Sequence, residues 1–152
     1  MTAGTEKLSY FGMGPYESYA DKRLASKMGV YRADVSEHFE HYIRPQENMA
    51  HADTKWMYIT NLSGHGFAVA GTEENPDFSF NCSHFTAKQL TDTAHDYELV
   101  PMKETAVNID YRQSGIGSAS CGPTLKKCYQ IDERSIDFSF RLIPGFFFPE
   151  ML

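Results

Sequence analysis

The chain has 152 residues, a length that suits one domain with one hydrophobic core. Its formal net charge of −6 argues against nucleic acid and against an anionic membrane surface as partners, because both are bound by basic faces. The sequence has no run of about 18 apolar residues and no apolar segment at its start, so neither a membrane span nor a signal peptide is expected.

Aromatic residues make up 14% of the chain and suit half-buried pleated surfaces, so the composition predicts a β-rich fold. The cysteines are odd in number and show no close pairing pattern; they are Cys82, Cys121 and Cys128. This is not the pattern of a disulfide framework, and it predicts a reducing cytoplasm as the location.

Short strands follow one another along the chain, separated by turns rich in Gly, Pro and Asn. They are predicted at residues 39–43, 55–60, 67–70, 77–81, 106–110 and 135–142. In the last segment apolar and polar residues alternate, which predicts a half-buried antiparallel strand. Its apolar face would consist of Ile136, Phe138, Phe140 and Leu142.

One short helix is predicted at residues 87–94, with Thr86 as its N-terminal cap. Many short strands, frequent turns and a single helix predict an all-β fold, an antiparallel β-sandwich.

Two histidines, His38 and His41, have the spacing of metal ligands on a helix. The local pattern is not helical, and residues three apart in a strand face opposite sides. No further ligands follow at a fitting interval, so solvated strand histidines are favoured over a metal site, and no metal is assigned.

A loop made almost wholly of Gly and Ser follows the strand at 106–110 and carries Cys121 at its tip. Loops of this kind on a rigid sheet often hold working residues. A nucleophilic role for Cys121 would need a histidine or a helix N-terminus beside it, and no partner is evident. Six residues separate it from Cys128, which is too wide for a typical zinc pair. The glycines at 115 and 117 do not form a phosphate-binding motif.

Adjacent acidic residues occur at Glu73–Glu74 and at Asp132–Glu133. Glycoside cleavage needs two carboxyl groups about 5–10 Å apart across a sugar pocket, whereas adjacent acids in turns are usually solvated. Aromatic side chains offer a possible sugar-stacking platform, although packing in the core and sheets is favoured for each ring. These rings are Tyr10, Phe11, Tyr16, Tyr19, Trp56 and Tyr58.

Four segments, taken in order, carry a resemblance to a known family. They are YFGMGPYESYADK at 10–22; RPQEN at 44–48, leading into Lys55–Trp56; FSFN at 78–81 with HDYEL at 95–99; and NID at 108–110 with GIG at 115–117 and SCGP at 120–123. Together they resemble the C-terminal, small-chain β-sandwich domain of bacterial β-galactosidases of glycoside hydrolase family 2, over nearly the whole chain. Two positions depart from the family pattern: Lys22 stands in place of Arg, and Met49 where Gly often follows.

The resemblance implies a partial galactose mutarotase-like supersandwich, with residues 1–152 as the second half of that domain. Family enzymes hydrolyse terminal β-D-galactose residues, with their catalytic glutamates in a (β/α)₈ barrel that this chain is too short to contain. The chain is therefore expected to be inactive alone, with no catalytic residue or cofactor of its own, although parent enzymes often use Mg²⁺ and Na⁺.

One loop of the family domain reaches into the barrel's pocket, and well-known members place a Trp there. The resemblance puts Cys121 at that position, and it implies a substrate-binding role for Cys121, Ser120 and Gly117. Expected partners are the barrel and other domains of the parent enzyme, galactosides, and further copies of the fragment, because a divided sandwich exposes strand edges.

Two other functions stay open. The chain would be a stand-alone carbohydrate-binding or assembly module if it bound galactosides without a catalytic partner. A mutarotase-like isomerase would need a histidine base and a glutamate in one pocket, for which His95 and Glu98 are the candidates.

Overall fold

Two antiparallel sheets, of five and three strands, form the structure, a computed structural model that describes residues 3–117 and 122–146. The larger sheet has the strand order β2-β1-β4-β5-β8 and the smaller one β3-β6-β7. The strands are β1 (Thr5–Gly14), β2 (Lys27–Asp34), β3 (His51–Thr54), β4 (Trp56–Asn61), β5 (His65–Ala70), β6 (Phe78–Ser83), β7 (Ala106–Asp110) and β8 (Arg141–Phe146). The predicted all-β sandwich with one short helix is confirmed.

The core lies between the two sheets. Alternate residues of a strand point to the same face, so every second side chain of β1, β4 and β6 enters it. Its buried apolar residues are Leu8, Tyr10, Val35, Met57, Ile59, Val69, Phe78, Phe80 and Cys82. The ring centroids of Tyr10 and Phe80 lie 5.2 Å apart, edge to face, and join the two sheets.

The single α-helix, α1 (Ala87–Asp92), begins where the sequence predicts. Thr86 Oγ1 accepts a hydrogen bond from the Gln89 amide (3.1 Å), and Gln89 Oε1 accepts one from the Thr86 amide (2.9 Å). This reciprocal capping box satisfies two backbone donors that the first turn leaves free. The helix ends at Asp92, two residues earlier than predicted, and it buries Leu90 against the sheet layer. Within the described residues, no helix is both long and apolar enough to cross a membrane.

Two strand predictions need correction. Residues 135–140 form no regular strand, because β8 begins at Arg141 and pairs only with β5. The alternating face is therefore not half-buried as a unit: Phe138 packs against the core, whereas Ile136, Phe140 and Leu142 are exposed. Residues 39–43 are irregular too, since no neighbouring strand pairs with them.

The first two strands, β1 and β2, were not predicted. β1 pairs with β2 on one side and with β4 on the other, so it is an interior strand of the larger sheet, next to the edge strand β2. Its Gly12 and Gly14 look like turn signals in the sequence, but they lie in the strand, where the nearest side chains are those of Thr54, Tyr10 and Tyr31. The glycines make room for these neighbours, and local pattern alone cannot distinguish that use from a turn.

Candidate functional site

The base of the loop after β7 is held against the segment that follows β1. The Ile116 amide donates to Asp21 Oδ1 (3.0 Å), and the Gly117 amide donates to Asp21 Oδ2 (2.9 Å). Both carboxylate oxygens of one side chain thus bind consecutive backbone N–H groups. A charged acceptor makes hydrogen bonds roughly twice as strong as a neutral one does.

The opposite side of the loop base is tied to the segment at 129–131. The Gly115 amide donates to the Tyr129 carbonyl (2.9 Å), and the Ile131 amide donates to Ser114 Oγ (3.0 Å). A glycine at position 115 allows the loop base to lie close to Asp21, because a Cβ at this position would lie 2.5 Å from Asp21 Cγ. The loop therefore leaves the sheet from a base that is bonded on both sides.

Of the three residues predicted to bind substrate, only Gly117 is described, and it binds Asp21 at the edge of the loop. Ser120 and Cys121 lie outside the described residues. The sequence analysis did not single out Asp21, although it is the acidic residue near the end of the first family-like segment. Its role becomes visible only once residues 21 and 117 are brought together.

A second carboxylate of the same segment, Glu17, is 1% exposed and joins three parts of the chain. It accepts hydrogen bonds from the Lys22 ammonium and the Tyr42 hydroxyl, and its Oε2 accepts from the Met49 amide (3.0 Å). The hydrogen bond that the Lys22 ammonium donates to Glu17 raises the pKa of Lys22. Lys22 can replace the arginine of the family pattern here, because the contact with Glu17 needs only a single positive charge and not the planar guanidinium group.

Met49 adopts a left-handed backbone conformation, with φ at 52°. Glycine adopts this left-handed conformation without strain, which agrees with the glycine that is common at this position in the family that the sequence resembles. In this chain the Met49 amide still points at Glu17, so the turn after residues 44–48 is kept.

Three asparagines connect the second, third and fourth family-like segments. Asn108 Nδ2 donates to Asn81 Oδ1 (2.7 Å), and Asn81 Nδ2 donates to the Asn48 carbonyl (3.3 Å). Together with Arg44 and Glu47 they line a cavity of about 320 Å³ beside α1. Amide groups, a guanidinium and a carboxylate can all hydrogen-bond to the hydroxyl groups of a polar ligand.

A further cavity, of about 360 Å³, adjoins the loop base between Tyr19, Glu47, Asp110 and Ile116. Removal from water, with a contribution from the nearby Asp110 charge, raises the pKa of Glu47, while a hydrogen bond with Gln113 opposes the change. Glu47 lines both cavities, so the two lie on either side of residues 44–48.

The histidine prediction is wrong for His38, which is buried rather than solvated. Its Nε2 lies 2.6 Å from Nε2 of buried His51, and its Nδ1 donates to the Cys82 carbonyl (3.1 Å). His41 is exposed and contacts Asp96 instead (2.9 Å), so the two predicted histidines do not converge. Across residues 3–117 and 122–146, no group of three or more His, Cys, Asp or Glu side chains could hold a metal ion.

The remaining candidates stay apart. His95 Nδ1 lies 3.5 Å from Glu98 Oε1, but both side chains are about half exposed and line none of the cavities described above. Asp132 and Glu133 form ion pairs with Lys127 and Arg112.

The aromatic rings form no common platform, because Tyr10 and Tyr19 are buried whereas Tyr16 is exposed. Trp56 stacks on Tyr58 at 6.1 Å, on the face of β4 that points away from the core.

Known proteins match most of this chain. The family model described as beta galactosidase small chain matches residues 1–142. A beta-galactosidase of Staphylococcus xylosus is 42% identical over 137 residues, and one of Actinobacillus pleuropneumoniae is 38% identical over 136 residues. Each match covers 90% of this chain but only 13% of the relative. A beta-galactosidase of Priestia megaterium is 32% identical over 77% of the chain and 11% of its own length.

Proposed function

Because the chain belongs to the β-galactosidase small-chain family, we propose that it completes the galactoside pocket of a larger β-galactosidase. The reactive carboxyl groups would belong to a catalytic barrel elsewhere in the parent polypeptide. The observation that carries this proposal is the loop base at residues 115–117, where a glycine-rich segment leaves the sheet from a carboxylate clamp. A loop anchored in this way is suited to hold its tip in another domain's pocket.

The proposed contact with the sugar is made by the loop tip, through Gly117, Ser120 and Cys121. Cysteine has no ring to stack on a sugar face, so this tip would contribute shape and hydrogen bonds rather than stacking. The chain by itself would not cleave a glycoside. The ion pairs of Asp132 with Lys127 and of Glu133 with Arg112 support an inactive isolated chain, because these two adjacent acids are already bound to cations.

A replacement experiment tests the proposal. This chain is substituted for the matching 137 residues of the S. xylosus enzyme, and cleavage of o-nitrophenyl galactoside is measured with and without residues 118–121. We expect the replacement to be active and the loop deletion to lower kcat/KM by at least tenfold. Exposed Glu74→Gln is the matched control and should change nothing. An equally active loop-deleted enzyme would contradict the proposal.

A stand-alone carbohydrate-binding role is the second candidate, and the cavity beside α1 is the observation in its favour. Arg44, Glu47 and Asn108 line it and have groups that suit sugar hydroxyls. Calorimetry with galactose and lactose on the isolated chain separates the two roles. Millimolar or tighter binding that is lost in Asn108→Ala favours the module, whereas no detectable heat favours the enzyme part.

We also propose that the isolated chain self-associates and that it works in a reducing cytoplasm. Support for self-association comes from the unpaired edges of β2 and β8 and from exposed apolar residues on both strands, among them Val30 and Ile143. Support for a reducing location comes from the free thiols of Cys82 and Cys128 in the described part of the chain.

A further inference from the structure

We propose that Asp21 is a positioning residue that fixes the loop base at residues 115–117, and that it does so without touching the substrate. The inference rests on the proposed function, because it assigns a role toward the galactoside pocket. It concerns a residue that lies almost 100 positions away from the loop in sequence.

The geometry of the clamp supports this role. Two hydrogen bonds from consecutive amides, Ile116 to Oδ1 and Gly117 to Oδ2, fix the orientation of the peptide unit between them as well as its position. A single bond would leave that unit free to swing about the contact. The clamp therefore fixes both the position and the orientation of the loop base.

Asp21 is itself fixed by the protein on both sides. The Lys22 amide donates to the Tyr19 carbonyl (3.0 Å), so residues 19–22 form a closed turn. Tyr19 is buried at one end of this turn, and Lys22 forms an ion pair with buried Glu17 at the other. The Asp21 carboxylate thus connects the loop base to a turn that is anchored in the buried part of the fold.

Glycines stand at positions 115 and 117, where the chain approaches Asp21 closely. A Cβ at position 117 would lie 2.9 Å from Asp21 Oδ2, and one at 115 would lie 2.5 Å from its Cγ. A loop held in its working geometry loses less conformational freedom when substrate binds, and small misplacements of a pocket residue cost large factors in rate. Loss of the clamp should therefore weaken both binding and turnover.

The test uses the complete replacement enzyme described above, carrying Asp21→Asn or Asp21→Ala, with Asp137→Asn as a control at an exposed aspartate. Hydrogen exchange is followed in a peptide covering residues 112–117 and in one covering β7. We expect Asp21→Asn to accelerate exchange at 116 and 117 while β7 is unchanged. We also expect kcat/KM to fall about tenfold in Asp21→Ala and less in Asp21→Asn, which keeps one acceptor oxygen.

The outcomes separate the two proposals. Unchanged exchange at 116 and 117 in both variants overturns the clamp. Faster exchange with unchanged kinetics overturns the positioning role, while the proposed function stands if deletion of residues 118–121 still lowers kcat/KM. If neither the deletion nor the Asp21 variants affect kinetics, the proposed function is wrong as well. Should Asp21→Ala fold poorly, Asp21→Asn alone decides, because its exchange at β7 reports the fold.

Discussion

The buried carboxylate of Glu17 connects three segments that are distant in sequence. A charge removed from water is tolerated only when it is paired and hydrogen-bonded, and Lys22, Tyr42 and the Met49 amide provide those bonds. The residue therefore acts as the junction on which the turn at 19–22 and the turn after 44–48 both depend. Its contribution is structural, although it supports the clamp at Asp21.

We predict that Glu17→Gln lowers the free energy of unfolding by about 2–3 kcal/mol, because a neutral amide at this buried site cannot accept all three bonds and loses the charge-assisted bond with Lys22. Urea unfolding of the chain measures the loss as a lower midpoint with an unchanged slope. Exposed Glu73→Gln is the control and should shift the midpoint very little. A shift in Glu17→Gln no larger than that of the control would contradict this role.

The His38–His51 pair predicts a pH dependence of stability. Burial lowers the pKa of both histidines, that of His51 to about 3, and the neighbouring His38 ring also lowers the pKa of His51. The neutral pair is satisfied when the Tyr10 hydroxyl donates to His51 Nδ1 (3.2 Å), His51 Nε2–H to His38, and His38 Nδ1–H to the Cys82 carbonyl. His51 Nδ1 also lies 2.8 Å from the Met13 carbonyl, which can accept a hydrogen bond only when Nδ1 carries a hydrogen, and in this tautomer Nδ1 carries none.

Because the unfolded chain binds protons that the folded chain does not, stability is fully present above about pH 6.5 and falls as the pH drops below it. The expected loss approaches 1.4 kcal/mol per pH unit for each histidine. Urea unfolding between pH 8 and pH 5 measures it, and His51→Gln should reduce the slope while exposed His95→Gln should not. A stability that stays flat down to pH 5 would contradict the lowered pKa values, because it would show that the folded chain takes up protons as readily as the unfolded chain does.

At the scale of elements, the short helix α1 depends on its cap. Six residues cannot form a stable helix alone, so tertiary contacts of Leu90 and the capping box must hold it. The two reciprocal bonds between Thr86 and Gln89 are the local part of that support.

We predict that Thr86→Ala destabilises the chain by about 1 kcal/mol, because the Gln89 amide loses its acceptor. Thr86→Ser keeps the hydroxyl and should stay within a few tenths of a kcal/mol of the original. Thermal or urea unfolding, followed by circular dichroism, compares the two variants. Equal losses in both would mean that the methyl group, and not the cap, stabilises this position.

At the scale of the whole molecule, the larger sheet has an apolar face turned away from the core. β2 exposes Met28 and Val30 there, β8 exposes Ile143, and the half-buried ring of Trp56 lies on the same side of β4. Exposed apolar side chains gathered on one sheet face are typical of interaction surfaces. The chain spans 13% of the length of its Staphylococcus xylosus and Actinobacillus pleuropneumoniae relatives.

The isolated chain should therefore form dimers or larger species whose population rises with concentration. Light scattering after size-exclusion chromatography measures the mass, and the double variant Val30→Lys, Ile143→Lys should return it towards the monomer. Lysines at two exposed sites on polar loops, Glu74→Lys and Asp137→Lys, test whether the added charge alone acts. A monomer at all concentrations would refute self-association through this face.

Local pattern was sufficient for part of the fold. Aromatic and β-branched composition indicated the β class, short runs between turns rich in Gly, Pro and Asn located β4 to β7, and Thr86 marked the start of α1. Pattern failed at β1, whose glycines serve close packing, and at residues 135–140, which alternate but have no strand beside them. Pairing partners decide whether an alternating segment becomes a strand, and they cannot be read from the segment itself.

By itself the sequence determined the class of fold, the family and the place where a loop rich in Gly and Ser leaves the sheet, because each of these depends on residue types at short and regular spacing. Only the tertiary structure decided that Asp21 holds Ile116 and Gly117, that Glu17 joins two turns, and that His38 meets His51 in the core. These contacts join residues 13 to 96 positions apart. A periodic pattern carries no information on such distances, since they are set by how the two sheets pack.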